Sequence, residues 1–493
     1  MLAIALSAAL PHPLPGLSLN ATARYTAGLL KVTSPVGDCS VFHAHVEHED
    51  KSTPLIAWMN GGPGASSLMG FFTELGPTLL NLQSVPAAGA FSLDASDGWR
   101  PFSNPHAWSR LGSLLVWEQP AGVGFSRCLG GCPRVWNDTT SALANLATLR
   151  AFYASQPAEA SRSLVLAGES YGGIYVPLLA QLVLRDASLR ARGVALAGIA
   201  VGNGCVGYGV EGGCGLDSLD IFVSTLERLA PGVSRAAIAT ARSKCTPTEL
   251  RTGRQPGQLS RGCAAAVSAL FAEVGEYNQY HWSSPCGPDG QGNWGDGSAF
   301  ACATGVLPRY LALPATQRAL GVILPGEPPL AWESWDGDSP YYHITEADAQ
   351  PAYRDLLAAG VPTLIYSGLA DTGVPDVGAE RWVPRVAGAA QTEPRRKWGA
   401  PPRYEFAGHV ETYASGLTFA TVAGAGHLVP ADRPAAALAM VGAWVKGERL
   451  PAYKGAACKR LWLGRHYADW CDSPPQQPAA VAPGAHYHPR IAA

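Results

Sequence analysis

The sequence predicts an α/β fold, a central and mostly parallel sheet flanked by helices, with a helical, cysteine-rich insertion. Three observations carry this expectation. Short, continuously apolar runs alternate with helical stretches, the pattern of strands buried on both faces. A serine stands between glycines just after one such run and just before one such helix, in Gly168-Glu169-Ser170-Tyr171-Gly172. The alternation breaks after Gly204 and resumes near Pro362.

Taken in order, Leu2–Leu10 reads as a short signal h-region closed by Pro11 and Pro13, without a basic n-region. The stretch Phe42-His43-Ala44-His45-Val46-Glu47-His48 holds three histidines, but nothing completes a tetrahedral metal set. It is expected to be the solvent face of an edge hairpin. Leu55–Met59, Ser113–Trp117, Ser163–Ala167, Ala195–Val201 and Pro362–Ser367 read as buried strands, and Thr140–Ser155 and Tyr171–Arg185 as helices. Cys128 and Cys132 read as a small loop disulfide. From 205 to about 330 the chain is rich in Cys, Gly and Pro, with helices near Ala264–Val274 and Ala315–Gly321. Within it, 242–263 has four arginines among polar and turn residues, either an excised linker or an exposed loop. Two or three strands follow between Arg403 and Ala423, then an apolar helix, Pro434–Lys446. The Pro/Ala-rich tail from Ser473 is expected to be disordered. The resulting division is a signal segment 1–12, a core in two parts (13–204 and 331–455), an insertion 205–330 and an extension 456–493.

The chain is 47% hydrophobic and 15% charged, against about 25% charged in average proteins. A large core follows. A formal net charge of −2 gives no field for nucleic acid or anionic membrane. No run approaches the ~18 apolar residues of a membrane span. Eleven cysteines and the sequons at Asn20 and Asn137 point to an oxidising compartment. The odd count leaves at least one cysteine without an internal partner.

A G-x-S-x-G match is weak alone, but here it joins a strand to a helix, as a nucleophile elbow requires. Ser170 then needs a base, and the base an orienting carboxylate. Asp371 and His427 follow in the order Ser, Asp, His, each on a loop after a strand end. Read singly, Asp371 is a turn aspartate and His427 a loop histidine. Their joint order and placement favour a triad.

The blocks WMNGGPGASS, GESYGG, YSGLADTGVP and GAGHLVPADRP resemble the four motif blocks of the serine carboxypeptidases, a family of α/β-hydrolase fold. The likeness runs from about residue 13 to 450. It implies Ser170 as nucleophile, His427 as general base and then acid, and Asp371 as orienting carboxylate. It implies an oxyanion hole from the N–H groups of Gly62 and Tyr171. It also answers a puzzle in the elbow, where a carboxylate precedes the nucleophile. In the family this residue and the N-G-G asparagine bind the substrate's terminal carboxylate. The counterparts are Glu169 and Asn60, with the N–H of Gly61 and support from Trp58. Two carboxylates in contact cannot both ionise, so one holds a proton. The bland alternative for Glu169 is a surface residue stabilised by a helix dipole.

The sequence also departs from the family. Ala65 replaces a cysteine, and its partner in a W-x-x-C segment is replaced by Trp335, so both halves of one disulfide are missing. Leu369 replaces the first aspartate of GD-x-D. The resemblance implies a secreted or vacuolar/lysosomal serine carboxypeptidase, acting on peptide and protein C-termini at acidic pH without metal or cofactor, as monomer or homodimer. The alternative is an acyltransferase on the same scaffold. Intact Asn60 and Glu169 favour the peptidase, and the intact triad disfavours a non-catalytic binding protein.

Overall fold

A computed structural model describes residues 24–455 apart from 82–83, 85–98, 132, 134, 211, 215–217, 230–232, 253–258, 276, 283–305, 333–341 and 389. It also describes residues 8–9, 14–16, 461–463 and 466–468. Residues 1–7, the Asn20 sequon, Cys132, Trp335 and the tail from Ser473 lie outside the described residues.

A twelve-stranded sheet forms the centre. Ten of its strands are β1 (Arg24–Ser34), β2 (Gly37–Glu47), β3 (Leu55–Met59), β4 (Ser113–Trp117), β5 (Ser163–Glu169), β6 (Ala195–Gly202), β7 (Thr363–Gly368), β8 (Gln391–Ala400), β9 (Glu405–Tyr413) and β10 (Leu417–Val422). Their order across the sheet is β1-β2-β4-β3-β5-β6-β7-β10-β9-β8. The six from β4 to β10 pair in parallel, and antiparallel pairs flank them on both sides.

The apolar runs become central strands because both faces are covered. Along β3, Leu55, Ala57 and Met59 point into one core with Leu149, Phe152 and Ile174. Ile56 and Trp58 point into the other, with Phe71, Trp108 and Met440. Successive strand residues face opposite sides, and each large apolar side chain so buried contributes about 1.5–3 kcal/mol. The helix Asp138–Ser155 starts at a capping box made by Asn137 and Thr140. The last helix, Pro434–Val445, buries Ala437, Met440 and Val441.

The histidine stretch differs from expectation. His43 and His45 are 0% and 2% exposed, not on a solvent face. Strand β2 is interior, paired to β1 and β4, and Phe152 of the helix Asp138–Ser155 packs its ring 6.1 Å from His43 and 5.2 Å from His45. His43 bonds the Gly28 carbonyl at 2.9 Å, and burial pulls it down to about 4, so it is a neutral core residue. His45 lies 3.4 Å from the buried carboxylate of Glu159.

Between β6 and β7 come the helices Leu219–Leu229, Arg235–Lys244, Pro247–Thr252 and Arg261–Val274. Phe222, Leu226, Ile238 and Leu270 give them a small core of their own. Disulfides Cys245–Cys263 and Cys205–Cys214 close two loops here, and Cys128 is also disulfide-bonded. Of the described residues in the arginine-rich stretch, Pro247–Thr252 is helical and Arg242 pairs with Glu227 and Asp220, while 253–258 lie outside the described residues. Arg228 reaches Asp376 at 2.7 Å, and Arg381 reaches Asp220 at 2.7 Å. These pairs fasten the helices to the helix Asp376–Ala387 beside the sheet.

Register sets the functional end. Gly168 of β5 lies opposite Met59 of β3, Glu169 opposite Gly202 of β6, and Gly368 of β7 opposite Val422 of β10. The strands therefore end level, and the loops after β3, β5, β6, β7 and β10 emerge side by side.

Candidate active site

Ser170 caps β5 with φ 59°, a left-handed conformation that costs a non-glycine residue about 1–3 kcal/mol. The neighbours hold it. Its N–H donates to Gly202 O at 3.0 Å, and its carbonyl accepts from Gly173 N and Cys205 N, both at 2.9 Å. A Cβ on Gly173 would stand 2.2 Å from Cys205 O, and one on Gly168 would stand 2.8 Å from Met59 O. Only glycines allow the helix to leave the strand this sharply.

Asp371, fully buried after β7, is saturated with donors. Its Oδ2 accepts from His427 Nδ1 at 2.7 Å, Asn203 Nδ2 at 2.8 Å and Val374 N at 3.1 Å. Its Oδ1 accepts from Gly373 N at 2.7 Å. A carboxylate on Nδ1 fixes the tautomer and leaves Nε2 free to act as base. His427 is 4% exposed, and its backbone N–H donates to Tyr280 O at 2.7 Å. The Tyr280 ring stands 5.0 Å from the imidazole. Trp282 N also bonds Ala370 O, and Thr372 N bonds Gln279 O, so residues 279–282 stitch together the loops carrying Asp371 and His427.

The loop after β3 lies against the elbow. A Cβ on Gly61 would fall 2.4 Å from Tyr171 N and 2.8 Å from Ser170 Cβ. Gly62 has φ 104°. Asn60 Oδ1 accepts from Trp58 Nε1 at 2.8 Å and Gly70 N at 3.1 Å, which aims its amide at two carboxyl groups. Asn60 Nδ2 lies 3.4 Å from Oε1 of Glu169 and 3.4 Å from Oε1 of Glu74.

Glu169 and Glu74 are 3% and 1% exposed and converge on the same Asn60 amide nitrogen. Two neighbouring buried carboxylates do not both ionise, so the pair holds a proton. Burial first, and for Glu169 the charge of Glu74 second, raise both above the ordinary carboxyl range. A neutral Glu169 is what a terminal carboxylate requires of a neighbour.

Serine and histidine motifs announce themselves in sequence. Glu74, Asn203 and Glu118 do not, and sequence reasoning missed them. Asn203 had one available signal, its place in Gly202-Asn203-Gly204 just past a strand end. Glu118 is fully buried. It accepts from Ser66 Oγ at 2.5 Å, Phe125 N at 2.6 Å and Trp332 Nε1 at 2.7 Å, and burial pushes it up to about 7.

Residues 15–447 match the family model described as serine carboxypeptidase. The chain belongs to the serine carboxypeptidase family. It is a serine-type carboxypeptidase, a hydrolase. The mouse lysosomal protective protein is 28% identical over 483 residues, covering 88% of this chain and 93% of its own. Serine carboxypeptidase-like 46 of Arabidopsis thaliana is 30% identical over 444 residues, covering 84% and 86%. Among solved structures, a prohormone-processing carboxypeptidase from Saccharomyces cerevisiae superimposes with TM-score 0.60 at 19% identity, covering 90% of this chain and 95% of that one. The fold of this carboxypeptidase is thus the α/β-hydrolase fold. Among its described residues no helix is long and apolar enough to cross a membrane, and no group of three or more His, Cys, Asp or Glu is placed to hold a metal ion.

Proposed function

We propose that this carboxypeptidase releases C-terminal residues from peptides through an acyl-enzyme on Ser170. His427 Nε2 takes the Ser170 proton as Oγ attacks the scissile carbonyl. The backbone N–H groups of Gly62 and Tyr171 stabilise the oxyanion, each such donor being worth about 2.7–4 kcal/mol. Collapse breaks the C–N bond, and His427 returns the proton to the leaving amine. Water, activated by the same imidazole, then hydrolyses the ester and restores Ser170. Asp371 orients the imidazole throughout.

Specificity for chain ends rests on the pair formed by Glu169 and Glu74 beside the elbow, the observation that carries this reading. Protonated Glu169, the Asn60 amide and the Gly61 N–H form a donor set for a terminal carboxylate, with Trp58 fixing the asparagine. The same set disfavours the acyltransferase alternative, whose substrates need no such recognition.

Residues 13–204 and 331–455 form the catalytic core in this reading, and 205–330 is an insertion whose segment 279–282 reaches the triad. An acidic lumen suits the shared proton. Disulfides Cys205–Cys214 and Cys245–Cys263 fit an oxidising compartment, and relatives carry lysosomal and vacuolar names. The test compares peptides with free and amidated C-termini by mass spectrometry at pH 5. Stepwise trimming of the free acids with the amides spared is expected. Equal trimming of both, or internal cleavage, overturns the reading.

A further inference from the structure

Asp138 opens the helix Asp138–Ser155. An aspartate in a first helical turn is ordinarily a solvated partner of the helix dipole. This one is 2% exposed, and its hydrogen bonds run outside its own helix. Oδ1 accepts from Tyr171 Oη at 2.6 Å and Tyr342 Oη at 3.0 Å. Oδ2 accepts from Thr345 N at 2.6 Å, Glu346 N at 2.7 Å and Thr345 Oγ1 at 3.0 Å.

Two of these bonds lead to the peptide groups that face the oxyanion. Tyr171 directly follows Ser170, and its ring is 1% exposed, so its hydroxyl bond tethers the residue whose N–H is one donor. The second route is relayed. The Tyr342 ring packs edge-on against the Tyr175 ring, centroids 6.1 Å apart, and Tyr175 Oη accepts from Gly64 N at 3.2 Å, two residues beyond Gly62. The rings of Tyr171, Tyr175 and Tyr342 lie 5.0–6.1 Å apart in pairwise edge contacts, so the relay is hydrogen-bonded at its two ends and packed through its middle.

We propose that Asp138 is a positioning residue for the oxyanion hole, one buried carboxylate that tethers both backbone segments supplying its N–H donors. The proposal rests on the reading of Gly62 and Tyr171 as those donors. A helix cap alone does not account for the geometry, since Asn137 already caps this helix by accepting from Thr140 N at 2.9 Å. The network does not touch substrate. It acts by holding two peptide planes where charge develops, and small misplacements of such groups are costly.

The variants are Asp138→Asn, Tyr171→Phe and Tyr175→Phe, the last two removing one hydroxyl each with the ring kept. Active sites are counted with a fluorophosphonate, so that kcat refers to folded enzyme. The expected result is a kcat loss of about ten- to hundredfold per titrated site in Tyr171→Phe and Asp138→Asn, with KM within about threefold, because the oxyanion contact is made in the transition state. Affinity for a peptide aldehyde falls by the factor lost in kcat/KM, while product binding holds. A purely structural role lowers the titratable fraction and the melting temperature and leaves kcat per site unchanged. That outcome overturns the proposal. Gly62→Ala separates it from the reading beneath it. If Gly62→Ala keeps full kcat, the donor assignment falls and the proposal with it. If Gly62→Ala loses kcat while Tyr171→Phe and Asp138→Asn do not, only the role of Asp138 falls.

Discussion

Trp332 donates its indole N–H to Oε1 of Glu118 across 2.7 Å, and the same oxygen accepts from Ser66 Oγ at 2.5 Å. Family members are expected to join this region by a disulfide, at the positions of Ala65 and Trp335. Here the neighbouring Ser66 and Trp332 are joined through a buried carboxyl. Removing it leaves three buried donors unpaired, and each unpaired buried group costs about 1–3 kcal/mol. Glu118→Ala is expected to lose about 3 kcal/mol or more in denaturant unfolding. Glu118→Gln, which keeps an acceptor, should lose less. A loss below about 0.5 kcal/mol in Glu118→Ala contradicts the brace.

Stability should fall as pH rises from about 5 to 8. Burial holds Glu118 near 7 and lifts the Glu74–Glu169 pair, whereas an unfolded glutamate titrates near about 4.3. Between those values the native state binds more protons than the unfolded state, so unfolding free energy decreases with pH. Glu118 alone accounts for something on the order of 3 kcal/mol. His43, pulled down to about 4, works the other way, but its effect is complete by about pH 6.5. Glu159, lowered to about 2, contributes fully above about 4.3 and loses that only in stronger acid. Calorimetry across the range checks the sign, and Glu118→Gln should flatten the slope. A melting temperature that climbs steadily from pH 5 to 8 is incompatible with this account.

Ser170→Ala should abolish both hydrolysis and fluorophosphonate labelling. His427→Ala should lose nearly as much rate, because a triad acts as a unit. Asp371→Asn, which disturbs the tautomer set by the 2.7 Å bond to Nδ1, should cost about 10⁴-fold in kcat. Labelling that survives in Ser170→Ala places the nucleophile elsewhere.

Gly61→Ala should cut kcat at least about tenfold while the protein stays folded. Its new methyl would meet Tyr171 N at 2.4 Å, Glu169 O at 2.7 Å and Ser170 Cβ at 2.8 Å. These are atoms of the elbow itself, not the tips of flexible side chains, so the strain falls on the reacting geometry. Circular dichroism and kinetics on one preparation check it. Wild-type kcat in Gly61→Ala means the loop yields without displacing the elbow.

The sequence made the central strands legible because their burial on both faces leaves continuous apolar runs. Leu55–Met59 and Ser113–Trp117 are observed with the expected bounds. It misplaced His43 and His45 because polar residues on a strand suggest solvent, and the covering helix comes from residues about a hundred positions away. Strand β8, with Arg395, Arg396 and Lys397, reads as polar for the opposite reason, since it lies at the sheet margin. At the site, residues carried by local motifs were legible, while Glu74, Glu118 and Asn203 act through partners distant in sequence. Glu74 sits just past a short helix, and only the register of β3 against β5 brings it to Glu169.

The proposed role of Glu169 as a carboxylate gate yields the last prediction. Glu169 must be protonated to donate to a terminal carboxylate, and burial followed by the charge of Glu74 raises it, so that form persists into mildly acidic pH. As pH rises through the titration of the pair, the proton is lost and two negative groups face each other. Substrate binding then weakens. The proposed contact would be made in both ground and transition states, so the loss should appear in KM and not in kcat. Glu169→Gln keeps a donor and cannot ionise. Its KM should change little between acidic and neutral pH while wild-type KM climbs. Amidated peptides should bind worse than free acids at low pH and lose less as pH rises, having no charge to repel. Identical KM–pH curves for the two proteins would show that Glu169 is not the gate, and carboxylate recognition would then fall to the Asn60 amide and the Gly61 N–H alone.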